Sequence, residues 1–415
     1  MSLNRVVITG YGVLSPYGIG AEKMFAGLYE NRSAVVNYRA HLGARTEAFH
    51  CQVGAPLQEL PDPRLIPRVC RRNMGPLAMM AYHVSSEALS HAGVPKEKIG
   101  STDLGIIFSS TTGSPAALEE AFGVYLSNDV RGLPNSGTFF KIMSHTGSAN
   151  VAHALGLRGI SYSVSSACAS STQAIGLGYE LLRHGRQEIM ICGGADELHP
   201  LAILVFDLLQ AASWNFNDRP TETPRPFDSL RDGTVTAAGA GALVLETEKS
   251  ALKRGARIFG EIAGYATNTD PGSMAQSNTE SIVVCLERAL ADADVRPEQV
   301  DYINAHATAT LAGDISEALA IADVFHGPSV PVSSMKGHLG HALAAAGVLE
   351  TVATLEMMRR GRLIPTLNLA VPAPEAAGLF HVPAPGLDRK VSCFAKNSFA
   401  FGGVNAVLII KEYGS

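Results

Sequence analysis

Short β-branched runs recur along the chain without the polar alternation of a half-exposed sheet, and this pattern narrows the fold more than any other feature. Residues 5–9, 104–108, 160–164, 189–192 and 242–246 read as strands buried on both faces, with helix-like stretches at 75–92 and 170–183 between them. The rhythm repeats with strand-like runs at 258–265, 300–305, 330–333, 391–395 and 406–411, separated by helix-like stretches at 281–291, 315–325 and 342–359. Strands covered on both faces by helices make an α/β architecture. The charged stretch 246–257 is the expected boundary, dividing the chain into 1–248 and 249–415. No proline- or serine-rich linker follows it, so the halves are expected to pack as one body. No short tandem repeat is present, so any duplication is structural and diverged.

The remaining features exclude several classes. With 33 Lys and Arg against 38 Asp and Glu, the 415 residues carry a formal charge of −5 and lack the basic field that holds nucleic acid. Residues 235–245, the longest apolar stretch, fall short of the roughly 20 needed to span a membrane. The N-terminus lacks the basic-then-apolar pattern of a signal peptide, so a cytoplasmic location is expected. Six scattered cysteines with no CxxC pair fit neither a disulfide framework nor a zinc site.

Four segments carry candidate chemistry. Ser165-Ser166-Ala167-Cys168-Ala169-Ser170-Ser171 joins a strand to an amphipathic helix, placing Cys168 where backbone N–H groups and the helix dipole favour a thiolate. A buried structural cysteine fits that segment equally well. Asn304-Ala305-His306-Ala307-Thr308-Ala309-Thr310 sets His306 at a strand end, where α/β sheets build their sites. Ser333-Ser334-Met335-Lys336-Gly337-His338-Leu339-Gly340-His341 brings a second histidine and a lysine. Asn397-Ser398-Phe399-Ala400-Phe401-Gly402-Gly403-Val404-Asn405 reads either as a turn whose N–H groups face a ligand oxygen or as a plain glycine hairpin.

Taken in order, these segments resemble the elongating β-ketoacyl-acyl-carrier-protein synthases of the thiolase-like superfamily. The resemblance extends over nearly the whole chain, through Val7-Ile8-Thr9-Gly10-Tyr11-Gly12, Gly193-Gly194-Ala195-Asp196, Arg225-Pro226-Phe227-Asp228 and Gly239-Ala240-Gly241. It implies a duplicated thiolase fold, five-layered α-β-α-β-α. It also implies decarboxylative Claisen condensation of an enzyme-bound acyl thioester with malonyl-acyl-carrier protein, in fatty acid or specialised polyketide or polyene biosynthesis. Cys168 would be the nucleophile, His306 and His341 the decarboxylating pair, and Lys336 an electrostatic organiser with Glu317 as its acidic partner, supported by Asp314. Backbone N–H groups of Cys168 and Phe401 would form the oxyanion hole, with Phe401 also the gate, and Thr308 and Thr310 would hold the pantetheine arm.

No tightly bound cofactor or metal is expected; the phosphopantetheine of an acyl-carrier protein serves as the substrate arm. The expected partners are that carrier protein and a second subunit, in a homodimer or in a heterodimer with a related synthase-like chain. Arg64, Arg68, Arg71 and Arg72 form a basic cluster suited to an acidic carrier protein. A non-catalytic chain-length-factor-like partner subunit is the alternative reading, but such partners typically lack the cysteine. A metal site would need His306, His338 and His341 to converge. The chain departs from the family in carrying Ala307 and Ala309 where glycines are usual, and Ala237-Ala238 where a carboxylate is common. Thr112 aligns near the floor of the acyl pocket, which implies either a specialised unsaturated or aryl-bearing chain or a hydroxyl capping nearby backbone.

Overall fold

The computed structural model describes residues 3–127, 136–275 and 278–414. From its outer edge, the first sheet runs Ser161–Tyr162, Leu104–Ser109, Ile189–Asp196, Gly239–Thr247 and Val6–Ser15. Leu104–Ser109 pairs in parallel with both its neighbours, whereas Gly239–Thr247 is antiparallel to both of its own. The second half repeats the scheme. Phe380–His381, Pro331–Ser333, Tyr302–Asn304 and Cys393–Ala400 pair in parallel, and Val404–Lys411 runs antiparallel between Cys393–Ala400 and Gly260–Thr269. Antiparallel pairing of Val6, Val7 and Ile8 with Ile262, Glu261 and Gly260 joins the two sheets.

Alternating side chains feed different layers, because successive residues of a strand point to opposite faces. Ile189 and Ile191 pack in the outer cluster with Leu77, Val84 and Ala88 of the Pro76–Ala92 helix. Met190 and Cys192 instead join the inner cluster with Ile175 and Tyr179 of the Ser170–Arg183 helix and with Val348 and Val352 of Ala346–Arg360. These two inner helices pack against strands of both halves, and Thr279–Asp292 and Leu311–Val324 cover the far face of the second sheet. The result is the expected five layers. At the contact of the inner helices, a Cβ on Gly347 would lie 2.2 Å from Thr172 Oγ1, so only glycine permits this approach.

Two elements differ from expectation. The run at 160–164 is a strand only at Ser161–Tyr162, where Tyr162 is exposed at the sheet edge. The helix expected from 342 begins at Ala346, after the 3-10 turn Leu343–Ala345, because Leu343 takes φ 50° and breaks the α-helical path. Residues 346–358 are then buried all round although they include Glu350 and Glu356, so these charges need partners inside the protein.

Candidate active site

Cys168 lies in the 3-10 turn Ala167–Ala169 that leads directly into Ser170–Arg183. Ala167 takes φ 46°, in the left-handed region, and turns the chain sharply at this point. Ser170 Oγ holds the turn, donating to Ala167 O at 2.6 Å and accepting from Ser166 N at 2.9 Å. Burial opposes the thiolate that the helix N-terminus favours. Burial pushes the Cys168 thiol up to about 12, and neither the Lys336 charge nor the local backbone N–H offsets this loss of solvation. Its sulfur lies 2.8 Å from His341 Nε2, so the proton has an acceptor in place.

His341 follows Gly340, at φ 71°, and its N–H donates to Val235 O at 2.7 Å. His306 emerges beyond the Tyr302–Asn304 strand and is held by Glu317. That carboxylate accepts from His306 N at 2.8 Å, Ala307 N at 2.6 Å and Asn397 Nδ2 at 2.9 Å. Asp314 fixes the next part of the loop, accepting from Ala309 N at 3.0 Å and Phe227 N at 2.7 Å; burial raises its carboxyl to about 7. Ala309 sits at φ 69°, so the alanine that replaces the usual glycine is held in a left-handed conformation by these bonds.

The two imidazoles approach edge to face, with centroids 5.5 Å apart. Burial, reinforced by the Lys336 and Lys396 charges, holds both well below the usual histidine range, so they are neutral near pH 7. Among the described residues neither buried Nδ1 has a hydrogen-bond partner, which leaves each ring able to carry its proton on Nε2. One cavity is lined by Cys168, His306, His341, Thr308, Thr310 and Phe401. The hydroxyls of Thr308 and Thr310 are 3.1 Å apart, and the Phe401 ring lies 5.7 Å from that of Phe206.

Two expectations need correction or qualification, and the placement of His338 agrees with a structural role. Lys336 pairs with Glu350 at 2.6 Å rather than with Glu317, whose oxygens are committed to the His306 loop and Asn397. Thr112 is exposed in the single chain and does not line the cavity. His338 does not converge with the other histidines but meets Asn31 Oδ1 at 3.4 Å. The donor atoms of Cys168, His306 and His341 do converge, within 4.8 Å of one another. Sequence reasoning missed Glu350 and Lys396, both fully inside the protein, and Phe206 on the cavity wall.

The sequence models described as "Beta-ketoacyl synthase, N-terminal domain" and "Beta-ketoacyl synthase, C-terminal domain" match residues 3–251 and 259–370. The chain belongs to the β-ketoacyl synthase family. It is 34% identical to 3-oxoacyl-[acyl-carrier-protein] synthase 1 of Escherichia coli strain K12, covering 99% of both chains. To 3-oxoacyl-[acyl-carrier-protein] synthase 2 of Synechocystis it is 32% identical, over 99% of this chain and 98% of the relative. Among solved structures, a β-ketoacyl synthase from Burkholderia phymatum superposes with a TM-score of 0.94 at 38% identity, covering 99% of each chain. The ishigamide ketosynthase/chain length factor gives 0.92 at 31% identity over the full length of both. The family and the fold expected from the ordered motifs are thus the ones found.

Proposed function

We propose that the chain is a 3-oxoacyl-[acyl-carrier-protein] synthase that condenses an acyl group on Cys168 with malonyl-acyl-carrier protein. The observation that carries this reading is the Cys168 Sγ to His341 Nε2 distance of 2.8 Å in a cavity that His306 also lines. In the first half-reaction Cys168 Sγ attacks the acyl thioester carbonyl, its proton passes through His341 to the departing pantetheine sulfur, and an acyl-cysteine forms. In the second, the bond to the malonyl carboxylate breaks and carbon dioxide leaves. The resulting enolate oxygen is held by Nε2–H of His306 and, once its proton has shifted from Nδ1 to Nε2, by His341. The enolate carbon then attacks the acyl-cysteine carbonyl, whose oxyanion faces the backbone N–H groups of Cys168 and Phe401. Collapse of this intermediate releases the ketoacyl thioester and expels the Cys168 thiolate, which takes a proton from solvent to replace the one carried away on the pantetheine thiol.

Thr308 and Thr310 are assigned to the pantetheine arm, Glu317 and Asp314 to holding the His306 loop, and Lys336 to the charge behind the imidazoles. We place the division between halves at 248/249. A second subunit, identical or related, is supported by the exposed Phe122, Tyr125, Phe139 and Tyr162, and Thr112 is assigned to the acyl pocket completed there. For the carrier protein, exposed Arg64, Arg68 and Arg72 interleaved with exposed Leu65 and Val69 suit an acidic partner with an apolar centre. Among the described residues no helix is long and apolar enough to cross a membrane.

The chain-length-factor alternative is disfavoured because cysteine and both histidines are assembled. Intact-mass spectrometry after exposure to acyl-carrier proteins of varied chain length tests the reading. A mass gain in the wild type but not in Cys168→Ala supports it. No acylation by any chain, in folded protein supplied with candidate partner subunits, refutes it.

A further inference from the structure

Behind the imidazoles lies a charge cluster that the proposed steps do not yet use. Glu350, on the Ala346–Arg360 helix, is shared by two lysines: Lys336 Nζ lies 2.6 Å from Oε1 and Lys396 Nζ lies 2.8 Å from Oε2. Both lysines are fully buried, as is the carboxylate apart from a trace. Lys396 belongs to the Cys393–Ala400 strand, directly beside Asn304, two residues before His306 on the neighbouring strand. Its partner at the next position on the same face is Ser398, whose hydroxyl is 2.7 Å from Thr172 Oγ1 on the helix that begins at the nucleophile.

Lys396 is held by its own strand and by Glu350. Nζ donates to Asn397 O and to Ser398 Oγ at 3.2 Å, and Glu350 Oε2 is its ion-pair neighbour. Burial lowers the Lys396 pKa, and the neighbouring Glu350 carboxylate opposes that shift by favouring the ammonium form. With both lysines ionised, Lys336, Lys396 and Glu350 alone sum to one positive charge. The next carboxylate, Glu317, accepts from the His306 and Ala307 N–H groups and also interacts with both lysines. Burying ammonium groups is costly unless nearby anions and hydrogen bonds offset the lost hydration, and here the anions of the reaction form beside them. Resting on the condensation reading above, we propose that Lys396 is a positioning residue of this site. By sharing Glu350 it fixes Lys336 behind the two imidazoles and keeps that carboxylate from neutralising Lys336 alone.

The groups that face the imidazoles are Cys168, Lys336, Lys396 and Glu317, with Glu350, Asp196 and Asp314 behind them. Removing one cation raises the histidine pKa values, because a positive neighbour disfavours imidazolium. The test uses the full chain carrying Lys396→Met, with net cluster charge zero, and the double variant Lys396→Met/Glu350→Gln, with net charge one as in the wild type. Carbon-13 histidine NMR follows ring titration without substrate, and acylation and condensation rates are measured separately.

In Lys396→Met the His306 and His341 titrations move up by about one pH unit. Condensation falls about tenfold while Cys168 acylation falls less than threefold, and the double variant returns the titrations toward the wild type. If Lys396→Met does not fold, Lys396→Gln, which keeps two donors without the charge, carries the same readouts. Unmoved histidine titrations, or parallel loss of acylation and condensation, would reduce Lys396 to a packing role. A wild type that neither acylates nor condenses overturns the parent reading instead, and the NMR titrations still decide the role of Lys396.

Discussion

Glu317→Gln separates two roles that the sequence alone merges. The wild-type carboxylate takes His306 N–H and the Asn397 amide on Oε1 and Ala307 N–H on Oε2, at 2.6–2.9 Å. In the variant one of these oxygens becomes an NH2 group, so at least one buried N–H faces another donor in either orientation of the amide. Loss of a charge-assisted bond costs about 1.5–3 kcal/mol, and stranding the donors adds about 1–3 kcal/mol. Relief of the carboxylate's desolvation, which raises the Glu317 pKa in the wild type, offsets part of this. The net expectation is a loss of about 2–4 kcal/mol in urea denaturation. Because the lost bonds define the His306 loop, condensation should fall about tenfold or more, through misplacement of His306. A variant within about 0.5 kcal/mol of wild type by urea denaturation would refute the loop-clamp role.

Other perturbations reach different parts of the account. With both imidazoles neutral well below pH 6.5, protonation sets in only on the acid side, so condensation should stay flat from pH 8 down to pH 6; an acid limb centred near 6.5 would contradict the depressed pKa values. By the same sign, the two histidines contribute stability above the unfolded pKa near 6.5 that is lost as pH falls below it. Gly347→Ala forces a methyl group against Thr172 and should destabilise by about 1–3 kcal/mol in the same urea assay. Arg68→Glu/Arg72→Glu should raise KM for acyl-carrier protein and flatten its salt dependence, while leaving acylation by a small pantetheine thioester unchanged.

Legibility in the sequence followed the range of the interactions. Cys168, His306 and His341 stand in local motifs of small residues at strand ends, and the structure brings them together. The alternating strand and helix runs likewise anticipated both sheets, because burial on two faces is written into consecutive residues. Electrostatics was less accessible. The position before a helix suggested a thiolate at Cys168, but the complete burial that raises its pKa depends on elements from both halves. The Lys336 partner was misassigned because the pairing with Glu317 was carried over from the family resemblance, whereas the fold turns Glu350 of the inner helix toward Lys336. Lys396, at the end of an apolar run, gave no local sign that its ammonium group is buried. Ser161–Tyr162 was overestimated because composition does not distinguish an edge from a centre.

The central claim is that one cavity performs both acylation and decarboxylative carbon–carbon bond formation. It is tested most directly by supplying acyl-Cys168 enzyme, with any required partner subunit, with malonyl-acyl-carrier protein labelled at the free carboxylate. The account predicts one labelled carbon dioxide released for each unlabelled ketoacyl product, with both lost in His306→Ala although Cys168 remains acylated. Persistence of the acyl-enzyme without release of label, or condensation that survives removal of both histidines, would contradict it.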